Sequence, residues 1–103
     1  MSFEVAPAGA GRVAVRGALT FSTVSESASK ATAPWASAGG SEVEVDLQGV
    51  DRVDSAGLAL LVGWLASARE QGVTLRYTGI PERLLAIARI SEVDDLLQGK
   101  SAA

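Results

Sequence analysis

The sequence predicts an α/β domain built on one mixed β-sheet of about four strands, with helices packed mainly on one face. Three observations lead there. First, Arg12 to Leu19, Glu42 to Leu47 and Val73 to Thr78 each alternate apolar with polar residues, the period of a strand with one buried and one wet face. Strands covered on both sides would instead read as continuous apolar runs. Second, segments of helical period separate and follow these strands, giving the order β, β, α, β, α, β, α, α and hence helices against a sheet. Third, 103 residues suffice for one core and not for two, so residues 3–98 are expected to form the domain and 99–103 a flexible tail.

The chain opens with a short apolar strand around Phe3 to Val5, followed by Pro7-Ala8-Gly9-Ala10-Gly11. Gly9, Gly11 and Ala14 imitate a dinucleotide-binding fingerprint, but they precede a strand where that geometry requires a strand-to-helix turn, so they are assigned to a hairpin. In the next strand Val13 and Val15 point to the core, Arg12 and Arg16 away from it. A first helix is predicted to begin near Ser22 or Thr23, where Thr23 and Glu26 have capping-box spacing. Its apolar side, Phe21, Val24, Ala28 and Ala31, is modest. Pro34 ends it, and Trp35 to Ser41 with Gly39-Gly40 forms a loop in which Trp35 either folds back on the core, as most tryptophans do, or faces a partner.

The stretch that organises the chain is Glu42 to Leu61, EVEVDLQGVDRVDSAGLALL. Val43, Val45 and Leu47 form the buried face of a strand, Gln48 to Val53 is expected as a tight loop, and Asp54-Ser55-Ala56-Gly57 precedes an apolar run as helix N-caps do. Ser55 has two readings. Its hydroxyl accepts a first-turn N–H and contributes about 1 kcal/mol of helix stability, or it is a phosphoacceptor, because a phosphate there meets unpaired N–H groups and the helix dipole. Elementary physics favours the plain cap.

The following helix, about Ala56 to Gln71, places Leu58, Leu61, Val62 and Leu65 on its core side at 100° per residue. Leu60 and Trp64 fall i, i+4 on the far side beside the Ser55 loop, where they form a protein-binding patch unless a neighbouring segment covers them. Gly72 stops this helix. After the strand of Val73, Leu75 and Tyr77, Pro81 suits the first position of a helix carrying Leu84, Leu85, Ile87 and Ala88. Ser91 with Asp94 is read as the cap of a short last helix bearing Val93, Leu96 and Leu97, closed by Gly99.

VDLQGVDRVDSAGLALLVGWL resembles the signature of the STAS domain, the family of anti-sigma factor antagonists and of the cytoplasmic tails of sulfate transporters. Together with Gly17-Ala18-Leu19-Thr20-Phe21 it is most similar to the STAS subunit of the Mla phospholipid ABC transporter, from about Glu4 to Leu97. The resemblance implies the STAS fold and a non-enzymatic, cytoplasmic subunit held at the inner membrane by the transporter ATPase, which it regulates or stabilises for outer-membrane lipid asymmetry. It makes Ser55, preceded by Asp54 and followed by Gly57, the regulatory position. Asp54, Ser55, Gly57, Leu60 and Trp64 are the expected partner-binding residues. The alternative is an anti-sigma factor antagonist whose binding to an anti-sigma factor kinase is switched off by phosphorylation of Ser55.

Composition removes other classes. Without cysteine or histidine, thiol chemistry, zinc sites and Ser-His-Asp triads have no residues to use. Twelve acidic against 9 basic residues, net −3, argues against nucleic acid and anionic membrane surfaces. The amino terminus lacks a basic segment followed by an apolar core, and the uncharged stretch from Ser55 to Ala68 is short for the roughly 20 apolar residues of a spanning helix. Asp46, Asp51 and Asp54 form no phosphoryl-transfer centre without a glycine-rich phosphate loop, so no cofactor, metal or catalytic residue is expected. Nucleotide binding, entertained for STAS domains as a family, has only helix amino termini in its favour. Dimerisation of the isolated domain is permitted but not predicted.

Overall fold

The computed structural model describes residues 3–23 and 42–98. Strands β1 (Phe3–Pro7) and β2 (Arg12–Leu19) pair antiparallel, with Ala8 N–H donating to the Arg12 carbonyl across the Gly9–Gly11 turn at 3.0 Å. Strand β3 (Glu42–Val53) lies parallel to β2, and β4 (Thr74–Thr78) parallel to β3, giving the order β1-β2-β3-β4 in one mixed sheet. Parallel neighbours need crossover connections. Helix α1 (Ser55–Glu70) supplies the one between β3 and β4, and α2 (Glu82–Ile90) and α3 (Asp94–Leu97) follow.

The helices cover one face. Val13, Val15, Leu19, Val43, Val45, Leu47, Leu75 and Tyr77 meet Leu58, Leu61, Trp64, Ala68, Leu84, Ala88 and Leu97 in one buried cluster. Burying such side chains is the main favourable contribution to folding, at about 25 cal/mol for each Å² of apolar surface. The Tyr77 hydroxyl donates to the Leu61 carbonyl at 2.6 Å, satisfying the one polar atom that the ring carries into the core, and burial pushes its pKa up. The opposite face is wet. There Arg12, Glu44 and Arg76 stand in register on three strands, with Glu44 accepting from Arg12 at 2.7 Å and facing Arg76 at 3.8 Å. All three remain in contact with solvent, so the ladder contributes little to stability.

Several expectations need correction. The predicted loop over Gln48 to Val53 is strand: β3 runs on to Val53 because it carries two register shifts against β2, where Ala14 and Arg16 face Asp46 and Gly49, and Gly17 and Ala18 face Val50 and Arg52. Each shift inserts one residue into β3, so Leu47, Val50 and Val53 are buried at intervals of three and the period-two signal vanishes. Helical conformation begins at residue 21, with Thr20 before it, one residue ahead of the start expected near Ser22 or Thr23. Thr23 then occupies the third helical position, and its Oγ1 accepts from Thr20 N–H at 3.0 Å and donates to the Ala18 carbonyl at 2.6 Å. Ser91 is the C-cap of α2, and α3 starts at Asp94 after Val93 with no side-chain cap bond. The rest of the predicted first helix, its capping Glu26, Trp35 and the tail 99–103 lie outside the described residues.

Candidate functional site

The site lies where β2 and β3 both end and two helical segments begin. Parallel strands bring Leu19 opposite Val53, so Thr20 and Asp54 leave the sheet side by side. Asp54 N–H donates to the Leu19 carbonyl at 3.1 Å, which fixes the carboxylate between the two chain segments. Its Oδ1 accepts from Ala56 N–H at 2.9 Å and Gly57 N–H at 3.3 Å, capping α1, while Oδ2 accepts from Phe21 N–H at 3.0 Å. One side chain therefore holds both helix starts.

The electrostatics follow from those bonds. Phe21 N–H holds the Asp54 carboxyl below its ordinary value, burial opposes this, and the Gly57 and Ala56 N–H groups add to the lowering. The α1 dipole acts in the same sense.

Ser55 is not the cap. Asp54 is, and Ser55 occupies the first position of α1 with its side chain exposed and, among the described residues, without a hydrogen bond. Two first-turn N–H groups that a phosphate on Ser55 was expected to find unpaired are already taken by Asp54. A phosphate there would meet the adjacent carboxylate, and like charges at that distance repel. The arrangement suits a hydroxyl presented to another molecule.

Gly57 is buried beneath this turn. A Cβ there would meet the Leu19 carbonyl oxygen and lie 2.8 Å from Leu19 Cβ, so the absence of a side chain is what lets α1 approach the end of β2. Gly57 thereby seats the turn.

The expected patch of Leu60 and Trp64 is corrected in one member and reduced in the other. Trp64 is 6 % exposed and belongs to the core cluster, and Leu60 is half-buried and packs against that cluster. The buried residues of α1 are Gly57, Leu58, Leu61, Trp64 and Ala68, a stripe turned by about 70° from the predicted one at 100° per residue. Val62 and Leu65, placed on the core side from sequence, are only partly buried. The helix is apolar nearly all round, so periodicity alone does not fix which side the sheet takes.

A residue the sequence reading left among the core positions of the first helix is Phe21, which is 71 % exposed and bonded through its backbone to Asp54. The available signal was its place directly after Leu19-Thr20, two residues beyond the strand end. Asp46 turns onto Gln48 N–H at 2.8 Å and Asp54 onto helix starts, and no three His, Cys, Asp or Glu side chains converge among the described residues. Nor is any helix there long and apolar enough to cross a membrane.

Comparison with known proteins agrees with this architecture. The family model described as Mlab, STAS domain, matches residues 3–98. Among solved structures, the anti-sigma factor antagonist SpoIIAA in its unphosphorylated form is similar with a TM-score of 0.59 and 16 % identity, over 85 % of this chain and 82 % of that one. At that identity the likeness shows the fold. The structure described as a crystal structure analysis of Mglu gives a TM-score of 0.48 and 24 % identity over 78 % of this chain and 20 % of that one, too low a score to carry an argument. No curated protein is significantly similar in sequence.

Proposed function

The chain belongs to the STAS domain family of the MlaB-like type, and from that premise we propose that it is a non-enzymatic subunit that docks on the ATPase of a phospholipid ABC transporter through the Ser55 end of α1. STAS domains act through protein–protein contact and are regulatory. The observation that carries the reading is the exposed Ser55 hydroxyl, unbonded among the described residues, on a first turn that Asp54 caps and Gly57 seats. A backbone turn already fixed in the free protein loses little entropy on docking. Asp54 supports the contact from within, Leu60 borders it, and Trp64 takes no part because it is buried. In this role the protein is cytoplasmic, peripheral to the inner membrane through its partner, and serves outer-membrane lipid asymmetry.

A second reading, an anti-sigma factor antagonist, is favoured by the same hydroxyl, since exposure also admits a kinase. Phosphorylation would then set a doubly charged group beside Asp54 at the interface, where an unpaired charge costs several kcal/mol.

Affinity capture of the tagged protein from gently solubilised membranes of its own organism, with mass spectrometry of the eluate and of the Ser55 peptide, separates the two. Recovery of an ABC ATPase with its permease and unmodified Ser55 is the expected result. Recovery of a soluble kinase with phosphate on Ser55 moves the assignment to the antagonist.

A further inference from the structure

Among the described residues Phe21, Ile90 and Leu96 are the large apolar side chains most open to solvent, Phe21 at 71 %. A single exposed apolar residue is ordinary. Phe21 differs from the other two in how its backbone is held. Asp54 Oδ2 accepts its N–H at 3.0 Å from 33 residues away, and the fully buried Thr23 hydroxyl ties the same turn to Thr20 N–H and the Ala18 carbonyl. The other oxygen of the same carboxylate holds the turn that carries Ser55. One residue thus fixes the placement of a large apolar group relative to an exposed hydroxyl.

We propose that Phe21 is an apolar anchor of the Ser55 interface, seated in an apolar pocket of the partner ATPase, with Asp54 as its positioning residue. The inference rests on the docking reading above and adds to it a binding residue and the chemistry of the surface that receives it. Aromatic side chains concentrate at the desolvated centres of interfaces, where a few anchors carry most of the affinity. A backbone fixed in advance leaves only two side-chain torsions to order when Phe21 docks. The alternative occupant, a lipid surface, is disfavoured by the net charge of −3, because membrane insertion of one aromatic ring needs basic residues around it to reach anionic headgroups.

The test is calorimetric titration of the purified transporter ATPase of the same organism with wild type, Phe21→Ala, Ser55→Asp, Asp54→Asn and the Phe21→Ala/Asp54→Asn pair, with thermal melts of each. Phe21→Ala should melt close to wild type and bind about thirtyfold more weakly or worse. The pair should lose less than the sum of the two single losses, since Asp54 acts in part through the ring it places and in part through the Ser55 turn. Wild-type binding with Phe21→Ala within threefold of it overturns the inference and leaves the Ser55 reading standing. Weak binding by Phe21→Ala with Ser55→Asp unaffected keeps Phe21 and removes Ser55, and absence of wild-type binding overturns both. Additive losses in the pair overturn the positioning role of Asp54. Sedimentation of wild type with anionic phosphatidylglycerol vesicles, abolished by Phe21→Ala, overturns the protein pocket in favour of a lipid surface.

Discussion

Helices α1 and α2 both follow a strand and both end alike, yet they begin differently. At its end α1 passes through Gly72 at φ 75°, with Val73 N–H donating to the Ala68 carbonyl at 2.8 Å. The end of α2 repeats this with Glu92 at φ 60° and Val93 N–H on the Ala88 carbonyl at 2.9 Å. Both are left-handed closing turns. The starts diverge: α1 has a side-chain cap in Asp54 that also reaches Phe21, whereas α2 starts after Pro81 with no side-chain cap bond. At these two ends the backbone closes the helix by itself. Among the described residues, side chains fix helix starts at the neighbouring Thr20–Phe21 and Asp54–Ser55 turns, and α2 and α3 start without a side-chain cap bond.

Four substitutions break or sharpen the contrast. The largest effect is expected from Trp64→Ala in the body of α1, a cavity costing about 3–5 kcal/mol and lowering Tm by ten degrees or more in a calorimetric scan, on the order expected for a domain of this size. Such a loss would place Trp64 in the core for solution as well, and a variant that melts like wild type would return it to the surface. Gly57→Ala follows: the helix-propensity gain of about 1 kcal/mol is outweighed by the clash with Leu19, for a net loss of about 2 kcal/mol in denaturant unfolding.

Asp54→Ala should cost about 1–2 kcal/mol near neutral pH, since it removes the cap of α1 and the acceptor for Phe21 N–H. The sign of its pH dependence follows from a carboxyl held below its ordinary value of 3.8 in the folded protein. That contribution is fully present above this value and is lost as pH falls through it and below, so wild type and Asp54→Ala should converge in stability on acidification. The smallest effect is a gain. Glu92→Gly makes the end of α2 like that of α1 and relieves a left-handed non-glycine residue, raising stability by about 1 kcal/mol.

Much of this was readable in the sequence where one physical signal acted alone. Val43, Val45 and Leu47 alternate cleanly and are buried as expected, and Gly9-Ala10-Gly11 and Gly72 make the turns assigned to them. Reading failed where two signals overlapped. The register shifts in β3 replaced alternation by an interval of three and disguised strand as loop. Asp54 and Ser55 are both good caps by residue type, and the strand end, which leaves Asp54 extended just before the helix, makes the carboxylate the one that is used. Trp64 was misplaced because α1 has apolar residues on nearly every side. Phe21 went unnoticed as a surface group because its exposure depends on where two distant strands end.

The central claim is that a partner protein covers the Ser55 end of α1. Amide hydrogen exchange of the protein alone and in complex with the transporter ATPase tests it most directly, because it locates the covered surface without altering a residue. Slowed exchange in the peptides containing Thr20 to Thr23 and Asp54 to Leu58, with the Arg12–Glu44–Arg76 face unchanged, is the predicted result. Protection confined to that sheet face, with the first turn of α1 exchanging as in the free protein, would contradict it.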